Sequence, residues 1–286
     1  MNPLLACDSS PESEENIELD PLKLAIEKTI QDQIDKRWIS DASVYFRRLN
    51  SGKWFSVRPV EKFSPASLLK VPLMIAVLRE EELRPGFAKT RLKFSGPPIS
   101  EKIQNFKPSK VLESGKYYTV DELLYRLVVY SDNDADTLLW SSIDPVLLEK
   151  TFTELRVPSP YGHQPEDDFL SVEEFATFFR ILYNATLLSK DMSEKALDLL
   201  ARAEFKEGLV EAIPTNVAVA HKFGERVFGS NSEIKELHDC GIVYYPVHPY
   251  LLCVMTKGSS FQHLDGGIRE ISHIVYESVN RTFPQH

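Results

Sequence analysis

One lysine sits inside a run that is otherwise apolar over residues 68–78, and this residue, Lys70, constrains the chain more than any other. A helix made of these residues is hydrophobic on every side and belongs in the interior. A lysine there needs a partner, because desolvating an isolated ammonium costs more than a helical turn contributes. Ser64 and Pro65 suit an N-cap and a first helical position, so the helix is expected to start there. Ser67 then falls in the first turn, three residues before Lys70 and on the same face. Burial and a second cation would lower the amine's pKa toward neutrality and let it act as a base. The plainer alternative makes Ser67 a helix-start residue and lets Lys70 reach back to solvent.

With 286 residues, 43% of them hydrophobic, the chain can bury a large core as one domain or as two lobes. The formal charge of -9, with no run of Lys or Arg, argues against nucleic acid or an anionic membrane as a partner. Cys7, Cys240 and Cys253 form no disulfide framework, and no spacing suggests a metal site, so neither a metal nor another cofactor is expected. No apolar run approaches the roughly 18 residues of a spanning helix, so no transmembrane helix is expected. Leu4-Leu5-Ala6-Cys7 resembles the end of a bacterial lipoprotein signal, and residues 8–18 read as an acidic tether. The expectation is a start upstream of Met1 and a place in the cell envelope, periplasmic or extracytoplasmic, with a lipid anchor at Cys7.

Leu22, Ile26, Ile30 and Ile34 recur every four residues and predict an amphipathic helix over residues 21–38. Residues 43–49 and 54–57 read as two strands joined by a hairpin turn. The segment 84–116 is rich in Pro, Gly, Ser and Lys and is expected to be irregular. Capping boxes at Thr119-Val120-Asp121-Glu122 and Ser171-Val172-Glu173-Glu174 open two helices, and Asp144-Pro145 opens another. From Asn216 the period changes: residues 217–223, 240–245 and 250–256 read as strands. Ile268, Ile271, Val275 and Val279 then mark a terminal amphipathic helix. Strands at both ends and helices between predict an α+β fold, an antiparallel five-stranded sheet flanked by the terminal helices with an inserted all-helical lobe. The boundaries are a tether over 1–18, a sheet lobe over 19–62 and 205–286, and a helical lobe over 63–204, with the site between the lobes.

Two further triplets accompany Ser67-x-x-Lys70. Ser131-Asp132-Asn133 ends one helix of the inserted lobe, and His221-Lys222-Phe223-Gly224 ends the first late strand. Singly, Ser131 and Asn133 make a helix stop and Lys222 an edge-strand charge. Jointly, their order resembles that of class A β-lactamases and penicillin-binding proteins, and the resemblance runs from about Pro21 to the C-terminus. It implies that Ser67 attacks a carbonyl to form an acyl-enzyme, that Lys70 takes its proton with Lys222 nearby, and that Ser131 relays the proton to the leaving nitrogen. Asn133 would hold the substrate amide and bond Lys70. The backbone N–H groups of Ser67 and Glu225, beside Gly224, would form the oxyanion hole, each donor worth about 3 kcal/mol in other hydrolases.

Two departures from that family stand out. Phe223 replaces a Thr or Ser whose hydroxyl helps to bind the substrate carboxylate, which counts against ordinary penicillin recognition. The Glu-x-x-Leu-Asn pattern that holds the deacylating water is missing; Glu166 is the nearest carboxylate in the loop 156–168, with His163, Asp167 and Asp168 as solvated neighbours. The expected activity is that of a monomeric serine acyl-hydrolase acting on a small-molecule or peptide acyl donor: a β-lactam, a D-alanyl peptide or an ester. A D-alanyl-D-alanine peptidase or a serine-dependent glutaminase would use the same Ser67 and Lys70. A non-catalytic envelope protein that binds cell-wall peptide or penicillin is the alternative from another class.

Overall fold

The computed structural model describes residues 17–99, 104–164, 167–228 and 233–285. Cys7 and most of the tether lie outside the described residues.

The chain opens with helix α1 (Asp20–Asp35), which buries Leu22, Ile26 and Ile30 on one face. Its end comes before Trp38 because Arg37 adopts a left-handed backbone at φ 58°. Strands β1 (Asp41–Arg48) and β2 (Trp54–Val57) follow as an antiparallel hairpin. At the other end lie β5 (Val219–Phe228), β6 (Ile234–Val243), β7 (Tyr250–Gly258) and the terminal helix, numbered α8 below (Phe261–Thr282). The five strands make one antiparallel sheet in the order β2-β1-β7-β6-β5, so the last strand pairs with the first, Val44 opposite Val254. This is the α+β sheet that the two ends of the sequence predict.

Residue alternation along the strands separates two apolar layers. Val44, Phe46, Leu252 and Val254 face α1 and α8, where Ile26, Ile268, Ile271 and Val275 are fully buried. Tyr45, Leu251, Cys253 and Met255 face the other way, toward the helices of the inserted segment. Covered on both sides, β7 is buried from Tyr250 to Thr256, as its unbroken apolar run requires.

The inserted helices are α2 (Lys70–Leu83), α3 (Val120–Val129), α4 (Asn133–Ser142), α5 (Pro145–Leu155), α6 (Val172–Asn184) and α7 (Lys190–Ala201). Both capping boxes form, at Thr119 with Glu122 and at Ser171 with Glu174. The described residues of the segment 84–116 are largely irregular, but β3 (Arg91–Lys93) pairs with β4 (Tyr117–Thr119) in a short ribbon. Helix α2 is buried at every position from Lys70 to Leu78, as its all-round apolar character demands. Its start differs from expectation. A turn of 3-10 helix (Ala66–Leu69) precedes it, with Pro65 rather than Ser64 in the N-cap position.

Among the described residues, no helix is long and apolar enough to cross a membrane. Ile271 is completely buried between α8 and the sheet, so Ile271→Ala is expected to destabilise the protein by about 2–5 kcal/mol in urea unfolding. A loss below about 1 kcal/mol would contradict this packing.

Candidate active site

The site forms where the 3-10 turn, the α3–α4 junction and β5 meet. Ser67 lies half-buried in the 3-10 turn, at the wall of a cleft of about 750 Å³. Lys70 opens α2 and is 2% exposed; Ser131 and Lys222 are each 1% exposed. The Lys70 ammonium donates to the Ser131 carbonyl at 2.5 Å, to Asn133 Oδ1 at 2.6 Å and to the Ser131 hydroxyl at 3.2 Å. From the opposite wall, Lys222 donates to the same hydroxyl at 2.8 Å and to the Phe223 carbonyl at 2.7 Å. The Ser131 hydroxyl therefore links the two amines. Ser67, Lys70, Asn133 and Glu225 all line the cleft.

Local chemistry explains these placements. Helix α3 ends at Val129 and α4 begins at Asn133, leaving Ser131 in a left-handed conformation at φ 53°. Asp132 caps α4 by accepting the N–H groups of Asp134 at 2.8 Å and Ala135 at 3.2 Å. The triplet therefore does more than stop a helix. It turns Ser131 and Asn133 toward Lys70 and fastens the turn with Asp132.

Burial, before anything else, lowers the Lys70 pKa, although Asp136, Asp132, Glu225 and Asp134 pull it back up. Burial also brings Lys222 well below the ordinary lysine value, and the Lys70 charge adds to that shift. Glu225 is displaced upward by burial, and its carboxyl accepts the Phe106 N–H at 3.0 Å, tying the 104–106 segment to β5.

A buried polar group that the sequence did not disclose holds the Ser67 turn from behind. Glu236 and His238 on β6 are both fully buried. Glu236 accepts the Ser64 N–H at 3.1 Å, and His238 Nε2 lies 3.0 Å from the Ser64 carbonyl. Because His238 Nδ1 accepts the Thr256 N–H at 3.2 Å, the ring proton must be on Nε2, where it donates to Ser64. Lys257 reaches Glu236 at 2.9 Å and also pairs with Asp168, which joins this group to the loop before α6. These polar residues interrupt the apolar alternation of β6, which is why its first six residues escape a search for apolar strands.

Phe223 does not fit its expected role. Its ring is 6% exposed, stacks on Phe205 at 4.1 Å and meets Phe106 edge-on, in the layer facing α8 rather than along the cleft. Lys222 lies over that ring at 4.3 Å from its centre. The substitution removes a hydroxyl without placing an aromatic wall in the cleft; Arg226, further along β5, lines it instead. Glu166 lies outside the described residues. His163 lines the cleft and stacks on Phe169 at 4.1 Å. Asp136, also in the lining, was missed, although its place three residues after Asn133 puts both on one helix face.

Residues 25–279 match the model of the β-lactamase enzyme family, which places the site among serine hydrolases. The chain belongs to this family. Nothing among curated proteins matches it. Among solved structures, a point mutant of PBP-A, described as an acyl-enzyme complex with penicillin G, superposes with a TM-score of 0.76 at 21% identity, over 92% of this chain and 97% of that one. The TLA-1 extended-spectrum β-lactamase gives 0.77 at 18% identity, covering 92% and 99%. A β-lactamase from Chitinophaga pinensis gives 0.75 at 18% identity, covering 90% and 100%. At these identities the superpositions establish the β-lactamase fold.

Gly224 lets β5 approach the Ser67 turn. A Cβ there would stand 3.0 Å from both the Pro65 carbonyl and Leu68 Cγ. Gly224→Val is therefore expected to push the turn from the strand and slow acylation of Ser67 by about 10²-fold, as ångström-scale misplacement does. Labelling at the wild-type rate in a folded variant would contradict the close approach.

Proposed function

We propose that the cleft carries out serine acyl transfer to water: Ser67 attacks an amide, β-lactam or ester carbonyl, and the resulting acyl-enzyme is hydrolysed. The observation that carries this reading is Lys70, buried at 2% exposure, held by Ser131 and Asn133, with its pKa lowered by burial. A neutral amine beside Ser67 accepts the hydroxyl proton as the Oγ–carbonyl bond forms. Ser131, bonded to both amines, passes a proton to the leaving nitrogen or oxygen. Asn133 binds the acyl side of the substrate. The N–H groups of Ser67 and Glu225, brought close by Gly224, stabilise the oxyanion.

The acyl-enzyme described for the PBP-A mutant supports the same covalent step here. The missing hydroxyl at Phe223 favours acyl donors that do not depend on a carboxylate contact there. Esters and simple amides are therefore better donors than penicillins. Lys222 supplies charge near that position but not a hydroxyl's direction.

Intact-protein mass spectrometry after a fluorophosphonate, and separately after penicillin G, tests the reading. A single adduct is expected on Ser67 and none in Ser67→Ala. Lys70→Ala should slow adduct formation by about 10²–10⁴-fold. Because the reactive form of Lys70 is neutral and its pKa is lowered, the wild-type rate should rise with pH through an inflection below the ordinary lysine range. That limb should vanish in Lys70→Ala. An adduct that persists in Ser67→Ala would remove the assignment, and a wild type that binds but never reacts would leave a binding protein.

A further inference from the structure

An acyl-enzyme must lose its acyl group to water, and water needs a base at the acyl carbon. Among the described residues, the loop before α6 offers little. Glu166 is outside the described residues, Asp168 is held by Lys257, and Asp167 accepts the Gln164 N–H at 2.8 Å. Helix α4 offers another carboxylate. Asn133, Asp136 and Trp140 stand at successive turns on one face, and all three line the cleft beside Ser67 and Lys70. Asp136 lies one turn before Trp140, and its Oδ1 is shut off from bulk solvent with no hydrogen-bond partner among the described residues. A buried carboxylate oxygen rarely stays unpaired, and a polar pocket of this kind is where an ordered water is held.

We propose, on the basis of the acyl-enzyme reading above, that Asp136 is the catalytic base that activates the deacylating water. The water oxygen bonds to the acyl carbon while one of its protons passes to Asp136. The tetrahedral adduct then collapses and the bond from that carbon to Ser67 Oγ breaks. The proton held by Asp136 returns to Oγ through Lys70, and the acyl group leaves as a carboxylic acid carrying the water oxygen. Electrostatics suit the task. Burial raises the Asp136 pKa most, while Lys70 from α2, Lys222 from β5 and the nearby Trp140 indole oppose the rise, and Asp132 adds to it. A carboxylate moved upward is a stronger proton acceptor at neutral pH than an exposed one. The position differs from the family's glutamate loop, so the departure in that loop removes one base without leaving the cleft bare.

The test uses p-nitrophenyl acetate and penicillin G as acyl donors, following both formation and decay of the Ser67 adduct by quenched mass spectrometry. In Asp136→Asn the adduct should form and accumulate, its decay slowed by about 10²-fold or more, with partial recovery in Asp136→Glu. Wild-type decay should fall as pH drops through one group titrating above the ordinary carboxylate range, and this dependence should be absent from the Asn variant. Equal decay in wild type and Asp136→Asn would overturn the proposal. So would an Asn variant that no longer acylates, because Asp136 would then act on Lys70. If the Asn variant does not fold, a wild-type decay rate without that inflection overturns the proposal by itself. A wild type that forms no adduct with either donor refutes the acyl-enzyme reading, and the role of Asp136 falls with it.

Discussion

Two amines, both buried, meet at one hydroxyl. Lys70 and Lys222 each donate to Ser131 Oγ, so they stand no more than about 6 Å apart, where unit charges at an effective dielectric of 20 repel by about 3 kcal/mol. Burial penalises the same charged forms, and it is the largest influence on both residues. Both effects make the pair hold its protons less tightly than ordinary lysines do, and a deprotonated lysine can accept a proton from a hydroxyl. The carboxylates around it, Asp132, Asp136 and Glu225, keep that tendency from running so far that the cleft loses its positive character. Reactivity here follows from where the lysines are put.

The fold exists, in this view, to put them there. Lys70 comes from the first turn of a helix that is apolar all round, Lys222 from the edge strand of a sheet closed by the last strand pairing with the first, and Ser131 from a helix junction. Two of the segments are bent against their preference: Ala66 and Ser131 both have positive φ without being glycine. Such conformations cost about 1–3 kcal/mol each and persist only when the surroundings impose them. Around Ser131 the constraint is the Asp132 cap and the two lysines. Around Ala66 it is the clasp of Glu236 and His238 on the Ser64 backbone. The polar residues on β6 are thus part of the support for the Ser67 turn, and truncating either would leave a buried group unpaired.

Much of this was legible in the sequence because it obeyed simple periods. Lys70 in an apolar run announced a buried amine, the two capping boxes marked α3 and α6, and the change of period after Asn216 located the closing strands. Where the reading missed, the reason lies in contacts that a local pattern does not carry. Ser64 resembles an N-cap, but its backbone is claimed by β6 and the first turn tightens to 3-10 geometry. The N-terminal half of β6 carries Lys235, Glu236, His238 and Asp239, polar residues that signal a loop until their buried partners are known. Phe223 was placed by analogy with a hydroxyl, whereas an apolar ring finds a better environment against Phe205 and Phe106 than along a wet cleft. Asp136 carried a usable signal, its spacing from Asn133, which acquires meaning only once the facing wall is known to hold two amines.

The central claim is that burial lowers the pKa of Lys70 below that of an ordinary lysine. Its most direct measurement is a titration of the Lys70 Nζ environment by NMR on lysine-labelled protein, assigned with Lys70→Arg. The account predicts a midpoint below the ordinary lysine value, because burial penalises the charged amine. A midpoint at or above the ordinary lysine value would contradict it.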